Sequence, residues 1–333
     1  MIQAPLVAVV VPVHNAAPWL DACLDTIAAQ TFSDFVCILV DDGSTDESGA
    51  LCESRAADDP RFHVLHQRAC GAAAARAAGV KAAQDRGVTW IAFCDADDLY
   101  TNDLLQLLLG AVRETGQLLS CCRYTDFSND ETPSTTVPHR TVTPKVLASP
   151  KHLDALLHDH AVDYSLCNKL YHTSLLTPEL LNNGLAANED LLANWQIFMK
   201  TDGLAFLDVV GYYYRQHAAS SSHRVLGPAS VDEQRTAALY IREHATPEMQ
   251  QSADAFYYEK LVYLASMILR RDDAADYRVQ LNELGVGITA GLKDKRLGRN
   301  PRLPLSIRMA AWATVRCPSL WYKICQQYLT DRR

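Results

Sequence analysis

W-I-A-F-C-D-A-D-D-L-Y, residues 90–100, reads as a short apolar strand that runs straight into three carboxylates, Asp95, Asp97 and Asp98. The run Ile91-Ala92-Phe93-Cys94 suits the interior of an α/β sheet. In such sheets ligands sit beyond the carboxyl ends of the strands. Carboxylates concentrated there repel one another unless a cation neutralises them, and hard divalent ions prefer oxygen ligands. A metal held in this way would bridge the protein to a phosphate that the carboxylates alone repel. The alternative is a polar strand-to-helix turn in which Asp97 or Asp98 favours the N-terminus of the next helix. An Asp-x-Asp by itself leaves both readings open, and its neighbours have to separate them.

Upstream, residues 6–13 are a continuous apolar run of the kind that is buried on both faces in a parallel sheet. After Asn15 and Pro18, the residues Leu20, Cys23, Leu24 and Ile27 recur at helical spacing. Residues 35–40 give a second strand ending at Asp41-Asp42-Gly43-Ser44, where Ser44 and Glu47 fit a capping box for the next helix. Residues 62–65 give a third strand, and the alanine-rich segment 72–83 is a good helix former. With the strand at Trp90, this order predicts a mostly parallel, doubly wound α/β sheet with helices on both faces. Further on, 104–112 and 189–200 read as helices, 118–124, 204–207 and 209–215 as strands, and 128–144 as a loop rich in Ser, Thr and Pro. From about residue 228 the pattern is mostly helical, which places a boundary near 225, after Ser220-Ser221-Ser222.

Composition narrows the classes of function. A chain of 333 residues with 48% hydrophobic and 21% charged residues has ample material for a soluble core. Its net charge of −8 argues against a protein that coats nucleic acid. The charge is uneven, because residues 291–333 hold ten Lys/Arg against two Asp/Glu while residues 1–290 hold 21 against 37. The ten cysteines include no C-x-x-C pair, and Cys37, Cys94, Cys121 and Cys122 lie in apolar runs, so buried reduced thiols are expected. The opening M-I-Q-A-P-L-V lacks the charged start of a signal peptide, and no apolar run approaches the ~18 residues of a membrane span. The expectation is a cytoplasmic protein, free or held peripherally on the inner face of the cell membrane.

No G-x-G-x-x-G follows the first strand and no G-x-x-x-x-G-K-[ST] occurs, so dinucleotide and P-loop sites lack support. Strand one instead ends V-P-V-H-N and strand two ends D-D-G-S-T-D. Both ends should fall on the sheet edge that carries Asp95, where an Asp can accept hydrogen bonds from a ribose hydroxyl or a base N–H. A capped turn is the competing reading of Asp41-Asp42-Gly43-Ser44.

The ordered set V-P-V-H-N at 11–15, Q-T-F at 30–32, D-D-G-S-T-D at 41–46 and D-A-D-D at 95–98 closely resembles the inverting nucleotide-sugar glycosyltransferases of family 2, which have the GT-A fold. The resemblance continues as C-N-K-L-Y at 167–171, N-E-D at 188–190 and Y-Y-Y-R-Q-H at 212–217, and covers about residues 5–225. It implies a GT-A domain over 1–225, with a nucleotide-binding half at 1–100 and an acceptor half at 101–225, followed by a helical region at 226–333. It also implies a UDP-sugar donor, a Mn²⁺ or Mg²⁺ cofactor, and a glycan or lipid-linked saccharide as acceptor, commonly in surface polysaccharide synthesis. By position, Pro12, Val13, His14, Asn15 and Asp42 would contact uracil and ribose, with Asp41 adjacent. Asp95 would lie near the ribose, Ala96 beside it, and Asp97 would ligate the metal on the diphosphate. Asp98 would support that ligand or hold a metal-bound water.

His217 stands where many GT-A enzymes supply a C-terminal metal ligand or phosphate contact, with Arg215 supporting, although its sequence context alone reads as a surface histidine. Asp190, preceded by Glu189, matches the acid that serves as general base. An attacking hydroxyl needs such a group within hydrogen-bond reach, while first-turn helix acids complementing the dipole are the alternative for this pair. In H-Q-R-A-C-G-A-A-A-A-R-A-A-G at 66–79, Ala69 and Ala77 stand where family members commonly have Asn, while Arg76, read with the donor-binding residues, and Gly79 remain. Arg68 is an alternative cation within reach of a donor phosphate.

The tail has two readings. After Pro318, Leu320, Trp321, Ile324, Cys325, Tyr328 and Leu329 share one helical half, preceded by a basic stretch from Lys293 to Arg308. This fits a membrane-surface helix that recognises anionic lipid. It equally fits a terminal helix packed on the body or on a second subunit. Arg316 interrupts the Leu305-Met309-Trp312 face and weakens the membrane reading for that first segment. Two rival functions differ in class: a sugar-phosphate nucleotidyltransferase, which would carry a glycine-rich basic turn after strand one, and a non-catalytic nucleotide-sugar-binding scaffold.

Overall fold

The computed structural model describes residues 6–129, 131, 133–158, 162–217 and 227–328. The stretch around 220–225 expected to hold the boundary lies outside the described residues, as do Leu329 and the side chains of Cys325 and Tyr328.

Strands and helices alternate through β1 (Val7–Val13), α1 (Ala17–Ala28), β2 (Phe35–Asp42), α2 (Ser48–Asp58), β3 (Phe62–Gln67), α3 (Ala72–Asp85) and β4 (Trp90–Phe93). These strands pair in parallel in the order β3-β2-β1-β4. Every residue of β2 is buried, and in β1 only Pro12 is not. Covered faces on both sides explain why these strands read as unbroken apolar runs. Gly79 lets α3 lie against β1, since a Cβ there would come 2.3 Å from Val10 Cγ1. Arg76 is one turn earlier on the same helix face and is thereby carried to the ends of the central strands.

The chain continues through β5 (Leu99–Tyr100), α4 (Leu104–Thr115), β6 (Leu119–Ser128), β7 (Lys145–Ala148), α5 (Lys151–His158), β8 (Lys169–His172), α6 (Pro178–Leu181), α7 (Glu189–Phe198) and β9 (Gly203–Gln216). The sheet extends as β4-β8-β6-β9-β5, with β7 also on β9. Here β8 runs antiparallel to both neighbours, and β6 pairs with β9 in parallel. The parallel half therefore joins a mixed half, and the acidic turn after β4 lies at the join.

Two local expectations are corrected. The segments at 204–207 and 209–215 form one strand, β9, whose register against β6 slips beside Arg123. At that bulge Asp208 points out to Arg123 Nε at 2.5 Å, and its polarity is what made the strand look broken. The capping box is absent as well, because α2 starts at Ser48 with no side-chain cap. Gly43 turns the chain at φ 68°. Ser44 N–H then goes to Asp41 Oδ1 at 3.0 Å, and Asp46 takes over at the helix entry by accepting from Ser48 N–H at 3.0 Å.

Two compact units are present: one runs to Leu185 and resumes from Glu189 through β9, and the other holds Ala186–Asn188 and the C-terminal helices. The latter comprise α8 (Pro228–Glu243), α9 (Gln250–Leu269), α10 (Arg278–Lys293), α11 (Lys295–Gly298), α12 (Leu305–Arg316) and α13 (Pro318–Tyr328). Their core gathers Leu261, Leu264, Ile268, Leu284 and Ile288, all buried. Each such side chain stabilises its unit by about 1.5–3 kcal/mol relative to exposure.

Candidate active site

The ends of β1 and β2 are stitched together. Asn15 takes a left-handed conformation at φ 50°, and its Oδ1 accepts from Thr45 N–H at 2.8 Å. His14 Nδ1 donates to the Asp42 carbonyl at 2.8 Å, while its Nε2 accepts from Asn15 Nδ2 at 3.2 Å. Pro12 is half-buried and Val13 buried, so His14 and Asn15 are what this turn presents to solvent. Asp41 is buried and faces α2, with Oδ2 2.9 Å from His66 Nδ1. Burial alone would raise its carboxyl, but hydrogen bonds from Ser44 and His66 hold it below its ordinary value. Asp42 accepts from Gln67 Nε2 at 2.7 Å, Cys70 N–H at 2.8 Å and Gly71 N–H at 2.7 Å. Both of its oxygens are thus committed to the 67–71 loop, where Ala69 leans on Gly43 and Arg68 is exposed.

The three carboxylates after β4 have separate fates. Asp98 is fully buried, accepting from the Tyr212 hydroxyl through one oxygen and from Arg215 N–H at 2.7 Å through the other. Burial, then the charges of Asp97 and Asp95, push its carboxyl well above the ordinary range. With both oxygens engaged in this way, it serves as a latch between the turn and β9. Asp97 is partly open, with Oδ2 2.8 Å from His217 Nε2. Its carboxyl is raised by burial and by Asp95, with His217 opposing. Arg215 Nε donates to the Asp97 carbonyl at 2.7 Å, and His217 stacks on Trp19 with ring centroids 4.0 Å apart. His217 is therefore no surface histidine. Ala96 is buried between these groups.

Arg76 joins this turn to the start of α7. Its Nη2 donates to Asp95 Oδ1 at 2.7 Å and its Nη1 to Asp190 Oδ1 at 3.1 Å, while the residue is 5% exposed. The Asp190 side chain keeps 22% of its surface open. Burial raises the Asp190 carboxyl, the Arg76 cation opposes that rise, and Asp95 adds to it. Beside it, Glu189 is pushed up to about 7 by burial and by the Asp190 charge. Leu191, Trp195 and Phe198 bury α7 and fix where its first turn points.

Sequence reasoning missed the support beneath α7. Lys169 is fully buried and donates to Asp163 Oδ1 at 3.0 Å, the Ser165 carbonyl at 2.6 Å and Asn168 Oδ1 at 2.8 Å. Asn194 on α7 donates to the Tyr164 carbonyl at 2.7 Å and accepts from the Tyr171 hydroxyl at 2.9 Å. The signal was C-N-K-L-Y itself, a lysine inside an apolar strand, where an ammonium needs several acceptors. A groove of about 740 Å³ lined by Leu269, Leu281 and Val286 lies in the helical unit, but no carboxylate lines it. The chemistry belongs to the strand ends.

The model of the Glycosyl transferase family 2 family matches residues 8–177, just over half of the chain. The chain belongs to glycosyltransferase family 2. Among its relatives, the uncharacterized glycosyltransferase EpsJ of Bacillus subtilis is 32% identical over 68% of this chain and 65% of its own length. The putative glycosyltransferase EpsH of the same organism is 27% identical over 67% of this chain and 64% of its own. The match thus spans a little under two thirds of these relatives. Solved structures share the fold. The 1–349 fragment of S. aureus TarS in complex with UDP-GlcNAc has a TM-score of 0.69 at 18% identity, covering 98% of this chain and 92% of that one. The mannosyltransferase PcManGT of Pyrobaculum calidifontis, in complex with GDP-Man and Mn²⁺, has a TM-score of 0.52 at 13% identity, covering 99% and 89%.

In this family 2 chain, no three His, Cys, Asp or Glu groups among the described residues form a self-sufficient metal cage. Asp97 Oδ2 and His217 Nε2 instead offer two donors 2.8 Å apart. Adjacent ligands of an octahedral ion with bonds of about 2.1 Å are about 3 Å apart, so the pair fits one edge of such a site. Ions of the Mg²⁺ type are usually held by one or two protein groups with substrate phosphate and water completing the shell.

Proposed function

We propose that the chain transfers a sugar from a UDP-sugar to a hydroxyl of a glycan or lipid-linked saccharide, with inversion, in the assembly of a surface polysaccharide. The observation that carries this is Arg76, whose one guanidinium ties Asp95 of D-A-D to Asp190. Chemistry on a donor lying over the β4 turn then has a carboxylate fixed beside it. Family membership supports the reaction class, and the UDP-GlcNAc complex of TarS supports the donor class.

The residues divide the work as follows. His14 and Asn15, at the open edge of the first turn, would meet the nucleoside, with Asp41 and Asp42 shaping the loops behind it. Asp97 and His217 would hold Mn²⁺ or Mg²⁺, which when bound neutralises charge on the departing diphosphate. Asp190 takes the proton of the acceptor hydroxyl as it attacks the anomeric carbon from the face opposite the leaving group. Arg76 holds the Asp190 carboxylate in place and opposes the rise that burial imposes on it. Glu189, near 7, stays largely protonated below neutrality and limits negative charge in the same turn.

The test is nucleotide release from a panel of UDP-sugars, with GDP-mannose included, in the presence of Mn²⁺. Turnover of at least one UDP-sugar that is lost in Asp190→Ala supports the proposal. Binding of UDP-sugar with no turnover or hydrolysis, and no effect of Asp190→Ala, would instead favour a non-catalytic scaffold.

A further inference from the structure

We propose that the outer face of α12 docks the protein on a membrane rich in anionic phospholipid. The helix has two apolar faces and uses only one inward. Ala310 and Ala311 are buried, and Ile307 and Val315 pack against the core of the helical unit. On the other side Leu305, Met309 and Trp312 are 71%, 64% and 53% exposed. Their spacing of four and three residues makes one stripe along the helix. Leu320, near the start of α13, is also exposed. This stripe is apolar surface that packing within the unit does not require.

The neighbouring α13 does the opposite. Its Trp321 turns inward and donates from Nε1 to Ser266 Oγ on α9 at 3.0 Å. Of the two readings open for α13, this hydrogen bond supports packing at its tryptophan, while the Leu305-Met309-Trp312 face of α12 stays exposed despite Arg316.

Charge selects the occupant. Residues 291–328 hold eight Lys/Arg and one acid, Asp294, in a chain whose net charge is −8. Asp294 is spent on capping α11, where its side chain accepts from Arg296 and Leu297 N–H. Arg302 before the stripe, with Arg316 and Lys323 after it, are exposed, as are Lys295, Arg296 and Arg299 on and beside α11. Leucine, methionine and tryptophan on one helix face with cations around them suit the headgroup boundary of an anionic bilayer, where tryptophan's amphipathic ring is favoured. A second copy of the chain is the weaker occupant. The stripe offers only a few hundred Å² of apolar surface, against about 800 Å² per partner in a stable protein interface. The docking does not depend on the proposed donor, although it would bring the chain to a lipid-linked acceptor.

The experiment is flotation of the full chain with phosphatidylcholine vesicles, with and without phosphatidylglycerol. We expect binding only to the phosphatidylglycerol vesicles, weakened by added salt. It should fall about tenfold or more in Leu305→Ser/Met309→Ser/Trp312→Ser, since such binding scales with apolar area. Arg302→Glu/Arg316→Glu/Lys323→Glu should weaken it too. Unchanged thermal midpoints and UDP-sugar hydrolysis in the variants would show that folding and the site are intact. Failure to float with either vesicle, or undiminished flotation of the serine variant, overturns the proposal. So does a wild-type dimer in sedimentation equilibrium that the serine variant turns into a monomer, which would give the face to a second copy.

Discussion

Arg76 bears on two carboxylates at once, and this governs what substitutions around it should do. Its guanidinium favours the ionised form of Asp190, so removing it raises that carboxyl further. A general base whose pKa rises loses its proton only at higher pH. In Arg76→Met we therefore expect the acid limb of the kcat profile to move to higher pH, with kcat lower by ~10²-fold as the base loses its fixed position. An unmoved profile with only KM changed would instead place Arg76 on the donor, as the sequence suggested. The pairing has no local signature, because 114 residues separate Arg76 from Asp190. What could be read locally was the chemistry of single groups: carboxylates after an apolar strand, and an acid pair opening a helix. The neutralising partner became visible only once Gly79 had drawn α3 against β1.

At the scale of elements, apolar runs gave away β1, β2 and β4 because those strands are covered on both faces. β4 is just as short as β7 and β8 but is continuous with the apolar run through Cys94. By contrast, β5 has only two residues, and β7 and β8 open on Lys145 and Lys169, so no unbroken apolar run marks them. β9 was split in the reading because a bulge places the polar Asp208 in mid-strand. The latch between the acidic turn and β9 rests on the Tyr212 hydroxyl. Tyr212→Phe leaves one Asp98 oxygen buried without that donor. It should destabilise the fold by about 1–3 kcal/mol in urea unfolding and weaken Mn²⁺-dependent UDP binding, and an unaltered midpoint would remove the latch from the account.

The junction of β2, β3 and α2 makes a prediction on pH. His66 lies between Glu53 at 2.7 Å and Asp41 at 2.9 Å, and hydrogen bonds to Glu53 first, then Asp41, raise its pKa. A raised folded pKa gives stability that is full below the unfolded value, about 6.5 for histidine, and is lost as pH rises through the folded value. His66→Gln should therefore lower the thermal midpoint more at acidic than at alkaline pH. Because the ring is half exposed, the difference should be small. Equal losses at both pH values would show that the ring acts by packing alone.

Over the whole molecule, chemistry and charge are divided between two compact units. The first gathers the strand ends, the D-A-D-D turn and Asp190, and the second holds most of the chain's concentrated positive charge. Composition made the second division legible without any structure. Which tail helix faces outward was not legible, since a stripe on paper does not say whether it meets a core. Removal of divalent cations should abolish transfer and their return should restore it. Asp97→Ala should lose the Mn²⁺-dependent thermal shift caused by UDP, as expected if that carboxylate carries the ion. The central claim is that Asp190 is the base while Asp97 and His217 serve the donor's diphosphate. The measurement that tests it most directly is UDP release by Asp190→Asn at saturating UDP-sugar and Mn²⁺, in protein that keeps the Mn²⁺-dependent shift. The account predicts an intact shift with release lost, whereas release at the wild-type rate would contradict it.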